Sequence, residues 1–176
     1  QYGLVPDPIV PFVTAPAEFR HWQSEIRDRM TRPIPVGVMV ESPAAALHMD
    51  HWVEAADHVA LGCNDLMQSL FAADREQPEL SALLDPFSPV LFRFLDQVAA
   101  LAGERVGQIQ LCGLLPQVPG VLPVLIGIGY RSFSVEPSLV PHLARRVRET
   151  DTQATRELVR AVCNCRDAEE VREVLE

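Results

Sequence analysis

Short apolar runs alternate with longer amphipathic segments along most of this chain. The runs predict five strands, and the segments between and after them predict helices. The predicted strands cover residues 9–13, 35–41, 58–63, 106–112 and 132–135. The predicted helices cover residues 17–30, 44–56, 64–74, 89–102, 118–128 and 138–148, and two more follow at 152–162 and 168–175.

This order of elements predicts an α/β fold with parallel strands. Strands that alternate with helices pair in parallel through right-handed crossovers. The segment 35–41 reads PVGVMVE and consists mostly of β-forming residues, as is typical of a strand buried on both faces. An open doubly wound sheet and a closed barrel both fit this pattern. No GxGxxG or P-loop motif follows the first strand, which disfavours a nucleotide-binding doubly wound sheet.

Composition and charge narrow the possible functions. The chain has 176 residues, of which 48% are hydrophobic and 22% charged, a composition typical of a globular protein with a real core. Its formal net charge of −9 argues against non-specific binding of nucleic acid, which requires a basic surface. All 15 basic residues are arginine, so lysine Schiff-base chemistry on this chain is excluded.

No feature of the sequence predicts membrane insertion or disulfide bonds. No apolar run reaches the roughly 20 residues of a membrane helix, and the most apolar stretch, 118–128, is interrupted by proline and glycine. The four cysteines, at positions 63, 112, 163 and 165, fit neither a disulfide framework nor a zinc site, and we expect a reducing cytoplasm. The chain begins with Gln1 and not with Met, which favours a piece of a longer protein.

Polar and reactive side chains follow the predicted strands. Glu41, Asn64, Asp65, Cys112 and Glu136 stand at or just after four successive strand ends. In a (β/α) barrel the reactive groups lie at these carboxyl ends, so the side chains would converge on one mouth. Two carboxylates suit a hard divalent cation, and a cysteine there is able to serve as an acid or a nucleophile.

Four of these five residues also have a purely structural interpretation. Asn64 or Asp65 would act as a helix cap. Glu41 would pair with an arginine, and Cys112 would be a small buried hydrophobic residue. Position along the chain does not decide between these interpretations and a functional site.

Five motifs carry a resemblance to a known family. They are GVMVESPAA at 37–45, GCNDLMQ at 62–68, AADR at 72–75, LCG at 111–113 and GIGYRSFSV at 127–135. In this order and spacing they resemble the barrel domain of the phosphoenolpyruvate (PEP)-utilising enzymes. The likeness is greatest to PEP-protein phosphotransferase, Enzyme I of the sugar phosphotransferase system. PEP synthase and pyruvate phosphate dikinase are also similar, and the resemblance covers about residues 8–150.

The resemblance implies the C-terminal part of a (β/α)8 TIM-type barrel. The five predicted strands would be the last five of eight, with residues 1–150 forming a partial PEP-binding barrel and residues 151–176 a C-terminal helical tail. Such a partial barrel exposes unpaired strand edges, which favour pairing with another chain. We therefore expect association with the missing half or a homodimer, and little or no turnover of PEP by the isolated chain.

The resemblance also implies a role for each site residue. Glu41 and Asp65 are expected to be Mg²⁺ ligands. Asn64 resembles the asparagine that contacts the substrate's phosphate, and Arg75 resembles the arginine that pairs with phosphoryl oxygens, for which its fork of donors is suited. Cys112 resembles the cysteine that protonates the enolate carbon after the phosphoryl group has left.

The implied activity is transfer of the phosphoryl group from PEP to a histidine in another domain, with release of pyruvate. A phosphocarrier protein would be the partner, acting through an N-terminal domain. Three positions depart from the family pattern: Leu114 replaces a carboxylate, and Cys63 and Met67 each replace threonine. Because these changes make the mouth more apolar, the alternative is a catalytically degenerate PEP-binding or regulatory barrel module.

Overall fold

A single parallel sheet forms the centre of the structure. The structure is a computed structural model and describes residues 7–176. The five strands lie in chain order, β1-β2-β3-β4-β5, and every neighbouring pair is parallel. The strands are β1 (Ile9–Val10), β2 (Gly37–Val40), β3 (Val59–Gly62), β4 (Ile109–Cys112) and β5 (Ser132–Phe133). The predicted α/β fold with five parallel strands is therefore confirmed, and it is compatible with part of a TIM-type barrel.

Helices connect the strands and continue after the last one. They are α1 (Pro16–Asp28), α2 (Pro43–Ala46), α3 (Met49–Ala55), α4 (Cys63–Phe71), α5 (Pro89–Ala102), α6 (Val121–Ile128), α7 (Val140–Glu149), α8 (Thr152–Asn164) and α9 (Ala168–Leu175). Within residues 7–176, none of the helices is both long and apolar enough to span a bilayer.

The sheet is buried because its central strands are apolar on both faces. All four residues of β3 are buried, and in β2 only Met39 is partly accessible. Helices cover the sheet through large side chains such as Phe19 and Trp52, whose rings meet edge to face with centroids 6.0 Å apart. The buried Tyr130 donates its hydroxyl hydrogen to the Leu95 carbonyl at 3.0 Å, which ties α5 to the chain before β5.

The predicted helix 44–56 is wrong as a single element, because it is divided into α2 and α3. The Ala45 carbonyl accepts hydrogen bonds from the His48 amide at 2.9 Å and from the Trp52 indole Nε1 at 2.7 Å. In a continuous α-helix that carbonyl would accept from the residue four positions on. The tighter turn at Leu47 and His48 therefore separates the two helices and turns Trp52 into the core.

Two other predicted elements begin three residues later than expected. The segment 103–108 is a 3-10 helix, so β4 starts at Ile109 and not at residue 106. Helix α6 starts at Val121 and not at residue 118, because Gly120 takes a left-handed conformation with φ 82°. Both differences lie at the amino ends of the elements. The outer strands are instead shorter at their carboxyl ends, because β1 ends at Val10 and β5 at Phe133, before the predicted residues 13 and 135.

The C-terminal helices pack closely against the body of the fold. A Cβ atom on Gly127 of α6 would lie 2.4 Å from the Thr155 carbonyl oxygen of α8, so glycine permits this approach. Arg93 of α5 donates to the Cys163 and Cys165 carbonyls, both at 2.6 Å, and caps the end of α8. The division at residue 150 into a barrel part and a tail stays a prediction.

Candidate functional site

One row of residues crosses the carboxyl edge of the sheet. Gly62 at the end of β3 pairs with Cys112 at the end of β4. The neighbouring registers pair Val40 with Leu61 and Leu111 with Phe133, so the next residues, Glu41 and Ser134, extend the same row. Side chains in one row of a parallel sheet point to the same face. Glu41, Cys112 and Ser134 therefore share a face, with Gly62 between the first two.

Gly62 leaves the space that Glu41 occupies. A Cβ atom at Gly62 would lie 2.8 Å from Glu41 Cγ, closer than real Cβ contacts, and 3.2 Å from Oε1, which is also tight. The glutamate side chain thus lies over the end of β3 and extends toward β4. This arrangement brings the Glu41 carboxylate near both Asp65 and Cys112, and its charge acts on the thiol.

A backbone amide holds Glu41 in this position. The Phe12 N–H donates to Glu41 Oε2 at 3.1 Å, and Phe12 has a left-handed φ of 53°. Partial burial raises the pKa of Glu41, the Phe12 hydrogen bond lowers it, and the nearby Asp65 carboxylate raises it further. The interpretation of Glu41 as the partner of an arginine is not what the structure shows, because a backbone amide is its hydrogen-bond donor.

Gln68 connects Asp65 with Arg75. Its Nε2 donates to Asp65 Oδ1 at 3.1 Å, and its Oε1 accepts from the Arg75 backbone N–H at 2.9 Å. The Arg75 guanidinium lies 3.6 Å from the same Asp65 oxygen, as an ion pair with both side chains partly accessible. Sequence reasoning assigned no role to Gln68, although it ends the GCNDLMQ motif and lies one helical turn after Asp65.

Asn64 binds the loop that follows β4. Its Oδ1 accepts the Leu114 N–H at 3.0 Å. Gly113 has φ +105°, and a Cβ atom there would lie 2.7 Å from Asn64 Oδ1, so the loop requires glycine at this position. Helix α4 begins at Cys63 with Gly62 before it, and no side chain caps it, so Asn64 is not a helix cap.

Cys112 is a partly accessible thiol at the mouth, whereas Cys63 is fully buried. Burial raises the pKa of Cys112, a hydrogen bond with the Ser134 side chain lowers it, and the Glu41 charge raises it. Burial first, and the neighbouring Cys112 second, raise the pKa of Cys63 to about 12. Sequence reasoning missed Ser134; the GIGYRSFSV motif contains it, but only the strand register reveals that it is Cys112's neighbour.

Glu136 does not join this group. It lies beyond β5, is exposed, and its backbone carbonyl accepts the Leu139 N–H at 3.0 Å at the start of a 3-10 turn. The structure therefore brings together Glu41, Asp65, Asn64, Arg75 and Cys112, the residues expected to form the site, and leaves Glu136 outside.

A pocket of about 400 Å³ lies beside these residues. Asn64 and Arg75 line one part of it, and the remaining lining residues are apolar. They are Met67, Leu84, Pro86, Leu114, Leu115 and Val118. Volumes of this size are typical of small-molecule sites.

The residues present fit a divalent cation with oxygen ligands. Glu41 and Asp65 lie close enough for the Asp65 charge to raise the pKa of Glu41, a repulsion that a bound cation would relieve. Within residues 7–176, no cluster of three or more histidine, cysteine, aspartate or glutamate side chains is arranged to hold a metal. Mg²⁺ does not need such a cluster, because one or two carboxylates, water and substrate oxygens complete its shell.

Comparison with known families identifies the family to which this domain belongs. The profile of the family described as "PEP-utilising enzyme, PEP-binding domain" matches residues 7–152, which contain the five strands and all the side chains described above. The chain belongs to this family. The resemblance predicted from the five motifs is thus confirmed, whereas the individual roles of the five site residues stay predictions.

Relatives of this PEP-binding domain are much longer proteins. Multiphosphoryl transfer protein 1 of Escherichia coli (strain K12) is 35% identical over 147 residues, which are 84% of this chain and 18% of the relative. A phosphoenolpyruvate-protein phosphotransferase of Haloferax volcanii is 33% identical over 139 residues, 79% of this chain and 25% of the relative. A phosphoenolpyruvate-protein phosphotransferase of Buchnera aphidicola is 30% identical over 142 residues, which are 81% of this chain and 25% of the relative. The chain thus spans a quarter or less of these proteins.

Proposed function

We propose that this chain is the PEP- and Mg²⁺-binding domain of a PEP-protein phosphotransferase. The single observation that carries the proposal is the convergence of a carboxylate pair, a guanidinium, an amide and a protonated thiol at one edge of the sheet. The names of the relatives, phosphoenolpyruvate-protein phosphotransferase and multiphosphoryl transfer protein, support it. In the longer protein the phosphoryl group of PEP would pass to a histidine of another domain.

The chain's own donors bind the phosphoryl group. The Arg75 side chain is partly accessible, and its planar guanidinium matches the oxygens of a phosphoryl group. Asn64 engages its Oδ1 with the Leu114 N–H, which leaves its amide hydrogens as donors toward the substrate. Glu41 and Asp65 would hold Mg²⁺, which when bound supplies the positive charge that offsets the substrate's oxygens.

Cys112 supplies the proton that completes pyruvate. Its raised pKa keeps the thiol protonated at neutral pH, so that it is ready to act as an acid. When the P–O bond of PEP breaks and the phosphoryl group joins the acceptor nitrogen, the electron pair remains on the enolate. The enolate carbon then takes the Cys112 proton to give the methyl group of pyruvate, and the thiolate is protonated again from solvent.

The same proposal covers the partners of the longer protein and its cellular compartment. A phosphocarrier protein would receive the phosphoryl group from the histidine of the longer protein, and sugar transport would follow from that partner. Five strands leave β1 and β5 with one neighbour each in the described sheet, whereas a closed barrel of this type has eight strands. We expect association through these edges, as a homodimer or with the remaining strands.

All four cysteines are free, which supports a reducing cytoplasm.

A second function, a PEP-binding module without fast turnover, is favoured by one observation. Leu114 is 61% exposed at the pocket, and Met67 also lines it, so apolar side chains stand beside Asn64 and Arg75. Apolar groups there would bind substrate but stabilise no charge in the transition state.

Cys112→Ala in the intact longer protein tests the proposal and separates the two functions. We expect loss of pyruvate formation with PEP affinity retained within about threefold, because the thiol acts after binding. Cys163→Ala, a thiol at the end of α8, is the matched control and should retain turnover. Unchanged pyruvate formation in Cys112→Ala would remove the assignment of the acid, whereas absence of turnover in the unmodified protein with intact PEP binding would favour the non-catalytic module.

A further inference from the structure

We propose that the pocket beside Asn64 and Arg75 accepts phosphate monoesters whose organic part is larger and more apolar than that of PEP. The inference rests on the proposed function, since it uses the same two anion-binding side chains. It adds the class of substrate or ligand that the pocket selects.

The wall of the pocket is mostly apolar. Six of its eight lining residues are methionine, leucine, proline or valine. Leu114 is 61% exposed, so a large apolar side chain that lines the pocket is accessible to a ligand. Covering it with an apolar group removes that surface from water, which is favourable. PEP carries only an enol and a carboxylate beyond its phosphate and offers no such group.

The polar end of the pocket, the part that Asn64 and Arg75 line, offers hydrogen-bond donors to a ligand. Arg75 is the one charged residue among the eight lining residues, and it is positive. Asn64 has its carbonyl oxygen engaged by the Leu114 N–H at 3.0 Å, so it presents amide hydrogens. A dianionic phosphate complements this end, and an apolar organic group complements the rest. The occupant of the pocket is therefore an amphiphilic anion.

The size of the pocket allows both parts of such a ligand. About 400 Å³ exceeds the space that a phosphate group alone requires. Burial of about 60 Å² of ligand surface against the wall corresponds to roughly a tenfold gain in affinity. A phenyl ring is a suitable probe of that gain because it is rigid and adds no charge.

The test compares phenyl phosphate with inorganic phosphate by calorimetric titration of the full chain. We expect phenyl phosphate to bind about tenfold more tightly than inorganic phosphate. Leu114→Gln should reduce that preference to about threefold or less, since it replaces exposed apolar surface at the pocket without adding charge. Leu101→Gln makes the same change on an exposed leucine at the end of α5, outside the pocket, and should retain the full preference.

A further variant separates the two ends of the ligand. Arg75→Gln should weaken both ligands by a similar factor, because it removes the cation that they share. Equal affinity of the unmodified chain for the two ligands would overturn the inference. So would a preference that survives in Leu114→Gln, or one that falls equally in Leu101→Gln.

Titration of PEP on the same samples distinguishes this inference from the proposed function. Saturable PEP binding together with no preference for phenyl phosphate would reject only the apolar pocket. A preference for phenyl phosphate without PEP binding would reject the proposed function and leave the pocket inference standing.

Discussion

The backbone N–H of Phe12 donates a hydrogen bond to Glu41 Oε2 at 3.1 Å. Phe12 is a bulky residue in the left-handed region, at φ 53°, and its side chain is 64% exposed. Side chains other than glycine in this region cost roughly 1–2 kcal/mol. The strained turn after β1 thus places an amide where it orients a carboxylate at the end of β2.

Phe12→Gly is expected to stabilise the protein while it retains this hydrogen bond. Glycine relieves the left-handed strain, which costs about 1–2 kcal/mol, but it loses about 0.5–1 kcal/mol more entropy on folding. Because the strain is the larger effect, the free energy of unfolding should rise by about 0.5–1 kcal/mol. Ala72→Gly, which relieves φ 50° at the end of α4, is the matched control and should give a similar gain. Urea unfolding measures both.

Phe12→Val provides the opposite change. A β-branched residue resists the left-handed conformation, so the turn should open and move the amide away from Glu41. We expect lower stability and weaker Mg²⁺ binding in this variant. If Phe12→Val matched the unmodified chain in both measurements, the strained turn would have no part in orienting Glu41.

Mg²⁺ should stabilise the chain through Glu41 and Asp65. A ligand that binds only the folded state raises the free energy of unfolding as its concentration exceeds the dissociation constant. Glu41→Gln and Asp65→Asn should each weaken Mg²⁺ binding at least about tenfold and so reduce the shift in melting temperature. Glu136→Gln, at an exposed carboxylate beyond β5, should retain the shift. An undiminished shift in both site variants would place the cation elsewhere.

The sequence predicted all five strands, and the carboxyl ends of the three central ones to within one residue, because buried parallel strands have a strong apolar signal. The strand ends alone therefore brought Glu41, Asn64, Asp65 and Cys112 to one edge. The motif resemblance, confirmed by the family match over residues 7–152, added Arg75. Arg75 is reached only after the whole of α4, whose path an apolar pattern does not reveal.

Other features of the site depend on tertiary contacts that no local pattern encodes. Ser134 meets Cys112 only through the register of β4 and β5. The Phe12 amide reaches Glu41 across 29 positions of sequence. The division of the predicted helix 44–56 follows from the Trp52 indole, which binds the Ala45 carbonyl once the core has formed. Such bonds override helix propensity, which favours a continuous helix there.

The alkylation of Cys112 should be slow at neutral pH and accelerate in base. Because its pKa is raised, the reactive thiolate is scarce at pH 7 and increases about tenfold per pH unit below the pKa. Iodoacetamide labelling, followed by peptide mass spectrometry, should thus be about 100-fold faster at pH 9 than at pH 7. Cys63, buried and with a pKa of about 12, should stay unlabelled in the folded chain. Rapid labelling of Cys112 with no pH dependence would identify a nucleophile and not an acid.

Gly113→Ala should disrupt the contact between Asn64 and the loop after β4. The new Cβ would lie 2.7 Å from Asn64 Oδ1, and φ +105° disfavours any side chain. We expect a loss of about 2 kcal/mol or more in the free energy of unfolding. Gly103→Ala also has a positive φ, 58°, but no atom within 4 Å of its Cβ, so it measures backbone strain alone. Equal losses in the two variants would show that the Asn64 contact contributes nothing.

The most direct test of the account is calorimetric titration of PEP into the full chain, with Mg²⁺ and with a chelator. We predict saturable PEP binding that weakens at least about tenfold without Mg²⁺, and a similar weakening in Glu41→Gln and Arg75→Gln. Glu136→Gln should bind PEP like the unmodified chain. Absence of PEP binding in the presence of Mg²⁺, or binding that neither the chelator nor these two site variants change, would contradict the proposed site.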